Sequence, residues 1–299
     1  MHKVNLGTTG LSVSFLGLGC SRLGSTLNAN RHEGDQRLVE EALDSGINFF
    51  DTANIYGQGM SESVLGKALR SKRDEVVIAT KAGQRFSPAQ RYAAVFKTPL
   101  RYLANKVPAL NREIRRQRAR PLPRCFEPNY LQRELEASLR RLRVDAVDIF
   151  YLHNPEPEHV SDGLVVDLMQ KLKRRGDIRF WGISCDQGIG LKEILGMTTP
   201  DILQLPFSIA KGDGNDDPVA KFGRDGGAVV AREIAAAVPI DSATGKRPIG
   251  GLRAAWQGAS QALNVAAILC GTTSVAHLRD NIDAVLTGYQ HRISVTNTV

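Results

Sequence analysis

Strand-like and helix-like runs alternate along nearly the whole chain, and this alternation limits the fold more than any other feature. FLGLGC (Phe15–Cys20) is an apolar run, and DQRLVEEALDSG after it repeats its apolar residues at helical spacing up to Gly46. INFFDT and SESVLGKALRS repeat the pair, with Ser61 placed to cap the helix. EVVIATKAG reads as a third strand. Pro128–Arg143 then sets Leu131, Leu135, Leu139 and Leu142 on one helical face. AVDIFYLH, IRFWGIS, DILQLPF, GGAVVARE and NVAAILCG supply five more strands. DGLVVDLMQKLKRRG, LKEILGM and SVAHLRDNIDAVLTG are helical between and after them. Strands that are apolar on both faces belong in a parallel sheet covered by helices. Eight of them in 299 residues predict a single α/β domain.

Two architectures fit that pattern, a closed (β/α)8 TIM barrel and an open doubly wound sheet. The first strand is not followed by GxGxxG, which weighs against the open sheet. Asp51, Lys81, His153, Ser184, Gln204, Arg232 and Thr272 all stand at the C-terminal ends of strands. In a barrel these ends converge on one mouth, whereas an open sheet strings them along an edge. The expectation is one barrel domain over residues 1–299, with an insertion at about 84–127.

Charge marks that insertion. The net charge is +8, yet residues 97–124 alone hold nine basic residues (Lys97, Arg101, Lys106, Arg112, Arg115, Arg116, Arg118, Arg120, Arg124) and one acid, Glu113. The remainder is balanced. The excess therefore sits in one segment rather than over a broad face, and no nucleic-acid-binding motif accompanies it. A solvated loop and a docking patch for an anionic ligand or partner are the two readings of it. Residues 238–251 (VPIDSATGKRPIGG) form a second candidate lid, while Trp181 and Trp256 read as packing residues. No apolar run is long enough to span a bilayer, and MHKVNLGTTG lacks the apolar core of a secretory signal. Four scattered cysteines with no CxxC pair suggest reduced thiols, a cytoplasmic protein and no metal site.

Asp51, Tyr56, Lys81 and His153 form the constellation that could do chemistry. Under the barrel arrangement all four could share one pocket. A phenol with an ordinary pKa near 10 exchanges a proton at neutral pH only if its phenolate is stabilised, and a nearby ammonium does that. A buried ammonium in turn needs a carboxylate, for which Asp51 is the natural candidate. His153 could orient a substrate oxygen or relay protons. Taken singly, each residue has an ordinary structural explanation; the order and strand placement of all four make the functional reading.

These residues carry a resemblance to the aldo-keto reductase family, through LGTTGLSVSFLGLGC, GINFFDTANIYGQGMSESVLGKALR, EVVIATKAG, LEASLRRLRVDAVDIFYLHNPEP, IRFWGIS and GTTSVAHLRDNI. The match runs from about Leu6 to Leu286. It implies a (β/α)8 barrel that transfers a hydride between a nicotinamide cofactor, usually NADPH, and the carbonyl of an aldehyde, ketone or sugar. The family tetrad falls on Asp51, Tyr56, Lys81 and His153. Tyr56 would then be the general acid, with Lys81 and Asp51 lowering its pKa and His153 orienting substrate. A nicotinamide-binding regulatory or partner-binding subunit with little turnover is the alternative on the same barrel.

The same resemblance implies the cofactor residues. The Ser-Asn pair that grips the carboxamide reads Ser184–Cys185 here, with Gln204 beside it. Cysteine replaces an amide poorly in hydrogen bonding. Arg232 stands where relatives stack a Tyr or an Arg on the nicotinamide, unless it is only paired with Glu233. The last loop offers Gly271, Thr272, Thr273, Ser274, His277, Asp280 and Asn281 to the adenosine end, at a helix start that favours phosphate. Relatives that prefer NADPH often carry a Lys or Arg in this loop and an Arg where His277 stands; hydroxyls and a histidine can also hold a 2′-phosphate, with weaker charge-assisted pairing, so NADP is expected, with NAD possible. The partner expected is a small carbonyl or alcohol substrate.

Overall fold

A computed structural model describes residues 1–24, 31–86, 122–212, 214, 216–242 and 244–296. Eight parallel strands close into a barrel: β3 (Leu16–Gly19), β4 (Phe49–Asp51), β5 (Val77–Ala82), β6 (Val147–His153), β7 (Ile178–Ser184), β8 (Ile202–Pro206), β9 (Ala228–Arg232) and β10 (Ala267–Cys270). They are hydrogen-bonded in chain order, and β10 returns to β3. The (β/α)8 TIM barrel is thus the observed fold, and the open sheet is excluded.

The barrel has two apolar cores, as inward and outward side chains alternate along each strand. Phe150, Leu152, Trp181, Ile183, Leu203 and Leu205 point outward against the helices. Phe49, Ala79, Ile149, Tyr151, Ile202 and Val230 fill the interior. An N-terminal hairpin, β1 (Lys3–Asn5) with β2 (Ser12–Ser14), adds Leu6 and Leu11 to that interior core. Sequence reading missed this hairpin, because its strands are only three residues long.

Helices α1 (Arg31–Asp44), α2 (Met60–Ala68), α3 (Pro128–Leu142), α4 (Leu164–Arg175), α5 (Leu191–Met197), α6 (Phe207–Ala210), α7 (Pro218–Arg224), α8 (Ile249–Gln261) and α9 (Val275–Thr296) connect the strands. The leucine face of α3 buries Leu131, Leu135 and Leu142, and Pro128 opens that helix where its missing N–H costs nothing. Trp181 and Trp256 are both buried. Among the described residues no helix is long and apolar enough to cross a membrane.

Ser61 does not cap α2. Gly59 precedes the helix, and the buried Ser61 hydroxyl instead donates to the Cys20 carbonyl at 2.9 Å and meets Thr52 Oγ1 at 2.8 Å. It therefore ties α2 to the ends of β3 and β4. Glu62, also buried, accepts from Thr80 Oγ1 at 2.6 Å and from Arg141 Nε at 2.6 Å. That clamp joins α2 and α3 to β5 at Thr80, the residue before Lys81.

The insertion leaves the barrel on the C-terminal side of β5. Its ends are laced together: Gln84 bridges Arg124, Arg85 N donates to Pro123 O at 2.9 Å, and Cys125 N donates to Gly83 O at 2.7 Å. Residues 87–121, with eight of the nine basic residues of the charged segment, lie outside the described residues. Arg124 is paired with Glu156 in the loop after β6. The candidate lid at 238–251 holds a turn in which Asp241 N donates to Lys246 O at 2.8 Å, and its end runs into α8.

Candidate active site

Parallel pairing brings the strand ends to one level. Lys81 stands beside Tyr151, His153 beside Ser184, Ser184 beside Gln204, and Pro206 beside Arg232. Lys81 is fully buried, and its ammonium donates to Asp51 Oδ1 at 2.5 Å and to the Thr52 carbonyl at 2.9 Å. The Nζ lies 5.1 Å from the centre of the Tyr56 ring. His153 meets the same ring edge-on, with centroids 6.1 Å apart. Asp51, Tyr56, Lys81 and His153 thus meet at the C-terminal mouth of the barrel.

Tyr56 is held there by its own turn. Gly57, Gln58 and Gly59 have φ of +57°, +61° and +86°, three successive left-handed residues. A Cβ on Gly57 would lie 3.0 Å from the Gly24 carbonyl oxygen. Gly57 and Gly59 meet this geometry without side-chain conflict, so the chain can reverse immediately after the phenol.

The electrostatics differ from expectation in one respect. Burial raises the Tyr56 pKa above its ordinary value; Lys81 pulls it back only in part, and Asp51 pushes it further up. The expected lowering by Lys81 is present, whereas Asp51 acts in the opposite direction, which corrects its expected part. Desolvation outweighs the ammonium, and the carboxylate disfavours a nearby phenolate. Tyr56 stays protonated at neutral pH. His153 moves the other way: burial, then the Lys81 and Arg232 cations, hold it well below the usual histidine value. Its Nδ1 is buried without a partner among the described residues.

That depression has a sign that can be tested. The unfolded chain binds a proton near pH 6.5 where the folded one does not, so the stability His153 contributes is present above that value and lost as pH falls below it. Stability should rise with pH by up to about 1.4 kcal/mol per unit below the unfolded pKa from this group alone. Urea midpoints at pH 7 and pH 5 should show a smaller difference in His153→Gln than in the unmodified chain. Identical differences would refute the assignment.

The expected carboxamide residues lie beside the tetrad, already engaged with each other. Ser184 Oγ donates to Gln204 Oε1 at 2.9 Å, and Gln204 Nε2 donates to Asp51 Oδ2 at 2.7 Å. Ser184 keeps its lone pairs as acceptors. The buried Cys185 thiol is pushed up to about 12 by burial, so it is no thiolate acceptor at neutral pH. Arg232 donates to the Cys185 carbonyl at 2.7 Å, pairs with Asp186 at 2.5 Å, and also pairs with Glu233. The pairing with Glu233 is realised, and Asp186 and Asn154 were both missed by sequence reading. Asn154 accepts from Asp186 N at 2.6 Å, so the ends of β6, β7 and β9 are laced together. A positive φ at Asn154 and Glu233 marks both turns.

At the last loop, capping accounts for two of the expected residues. Thr272 Oγ1 accepts from Ser274 N at 3.1 Å, and Ser274 Oγ accepts from His277 N at 3.3 Å. Asn281 donates to the Cys270 sulfur at 3.0 Å. Gly271, Thr273, His277 and Asp280 are exposed. Arg279, the nearest cation in sequence, is bound through two nitrogens to Glu41 of α1 at 2.7 and 2.8 Å. Acceptor oxygens on Ser184, the orphaned His153 nitrogen and the exposed helix start of α9 are together compatible with a nicotinamide dinucleotide.

The model of the aldo/keto reductase family matches residues 15–231. The chain belongs to this family. The match contains the tetrad, Ser184 and Gln204, and ends before Arg232 and the loop at 271–281. The uncharacterised oxidoreductase YqkF of Bacillus subtilis is 28% identical over 211 residues, covering 70% of this chain and 57% of that protein. L-galactose dehydrogenase of Arabidopsis thaliana is 33% identical over 186 residues, 60% of this chain and 47% of that protein. The chain therefore spans about half the length of these curated relatives. The aldo-keto reductase AKR11C1 of Bacillus halodurans, in its holo form, superposes with a TM-score of 0.71 at 25% identity, covering 95% of this chain and 91% of that one. An aldo-keto reductase of Klebsiella pneumoniae, in complex with NADPH, shares the fold with a TM-score of 0.65 at 20% identity, over 95% and 90% of the two chains.

Proposed function

We propose that this chain is an NAD(P)H-dependent reductase of an aldehyde, ketone or sugar carbonyl, with Tyr56 as general acid and NADP as the preferred cofactor. The observation that carries this reading is the meeting of a protonated phenol, a buried ammonium and a neutral imidazole at one barrel mouth. The reduced nicotinamide, when bound, supplies the hydride. The chain's own residues manage the proton. His153, uncharged, would donate a hydrogen bond from its ring N–H to the substrate carbonyl oxygen and orient it against Tyr56. As charge develops on that oxygen, Tyr56 passes its proton to it. The phenolate left behind is stabilised by the Lys81 ammonium, whose geometry is fixed by Asp51 and the Thr52 carbonyl. A raised phenol pKa keeps the acid loaded, and the ammonium lowers the cost of unloading it.

Ser184 would accept from a carboxamide NH2, and the hydroxyl of Thr273 with His277 would face the adenosine end. A hydrogen bond to a charged phosphate oxygen is worth roughly 1.5–3 kcal/mol, so NADPH should bind about tenfold more tightly than NADH or better. Four free cysteines, three of them buried, fit a reducing compartment, and a cytoplasmic location belongs to the proposal. Fluorescence titration with NADPH and NADH, followed by turnover on aldehydes, keto acids and sugars, tests the reading. Tighter NADH binding would overturn the NADP assignment, and failure to bind or turn over either cofactor would overturn the function.

A further inference from the structure

Gln204 is fully buried, and both ends of its amide are spent inside the protein. Asp51 as a carboxylate only accepts, so the amide NH2 must face it, and the 2.7 Å contact to Asp51 Oδ2 fixes that orientation. The amide oxygen then faces Ser184, whose hydroxyl donates to it at 2.9 Å. Asp51 is held from two sides, by Lys81 on Oδ1 at 2.5 Å and by Gln204 on Oδ2. One continuous buried chain thus runs from Ser184 through Gln204 and Asp51 to Lys81, which lies 5.1 Å from the Tyr56 ring.

We propose that Gln204 is a positioning residue of the proton-transfer machinery, holding the Asp51 carboxylate so that the Lys81 ammonium is kept under Tyr56. Its role as a carboxamide ligand is separate: a residue that only gripped cofactor would have no need to donate to Asp51. Polarisation passes along such a chain, since each hydrogen bond strengthens its neighbours in a low-dielectric interior. Occupancy at the free lone pairs of Ser184 is in this way coupled to the pair that serves the acid. The inference rests on the reductase reading above.

Two variants test it. Gln204→Met removes the donor and keeps the volume close. It should lower kcat at least tenfold with NADPH held saturating, a loss that more cofactor does not repair, while the Kd for NADPH is read separately by fluorescence. Gln204→Glu keeps the shape and makes the donor titratable. The titratable and charged groups around it are Asp51 on β4, Lys81 on β5, and Tyr151 and His153 on β6, with Arg232 at the end of β9. Burial beside Asp51 favours the protonated glutamic acid, which can donate as the amide does. Activity should therefore approach that of the unmodified chain at low pH and fall away as pH rises, giving a basic limb at lower pH than the one Tyr56 sets in the unmodified chain. Where Gln204→Met does not fold, the pH profile of Gln204→Glu decides. Weakened NADPH binding with kcat intact would make Gln204 a cofactor ligand only and overturn the proposal. A loss in Gln204→Glu that is equal at every pH would also overturn it. An unmodified chain that neither binds NADPH nor reduces any carbonyl would instead defeat the reductase reading, and this inference with it.

Discussion

Tyr56→Phe is expected to lower kcat for carbonyl reduction by about 10³-fold, within the range that loss of a positioned general acid produces. The substitution leaves the aromatic ring in place. Its approach to Lys81 at 5.1 Å and its edge contact with His153 at 6.1 Å both involve the ring rather than the hydroxyl. Packing and cofactor affinity should therefore survive, and NADPH should bind with a Kd within about threefold of the original. Steady-state reduction of an active aldehyde and a fluorescence titration give the two numbers. Retention of kcat within a factor of about ten would remove Tyr56 from the role of acid.

Lys81→Met should fail in two ways at once. Methionine fits the length of the lysine stem but leaves the buried Asp51 carboxylate facing an apolar group, with Gln204 as its remaining side-chain donor. Removing one partner of a buried ion pair costs about 3–5 kcal/mol, because the other charge stays desolvated and unpaired. Turnover should fall together with stability, since the largest of the cationic influences favouring the Tyr56 phenolate is lost. Adding Asp51→Asn to Lys81→Met separates the two effects. The amide carries no charge to leave unpaired, so most of the lost stability should return in urea unfolding while turnover should not. A single variant as stable as the unmodified chain would show that the pair is not the buried, compensated unit described here. Recovery of turnover in the double variant would show that the ammonium is dispensable.

The barrel was legible because parallel strands buried between helices must be apolar on both faces, and eight such runs are visible from FLGLGC to NVAAILCG. The tetrad was legible from placement, each member standing at or just beyond the C-terminal end of a strand. Short polar elements were not. The hairpin Lys3–Ser14, Ser61 turned away from its cap, and the buried Glu62 clamp all depend on partners far away in the chain. Asp186 and Asn154 look like ordinary loop residues until the barrel closes and sets β6, β7 and β9 around one rim.

The one-dimensional pattern of apolar residues determined the closed ring of strands, since each period matches one kind of surface that must leave water, and strand order placed Asp51, Lys81 and His153 at its mouth. Tertiary structure alone decided the charges there. Desolvation depends on every neighbour at once, so only the folded pocket could reveal that burial raises the Tyr56 pKa against the pull of Lys81, that it holds His153 well below the usual histidine value, and that Gln204 turns its amide toward Asp51.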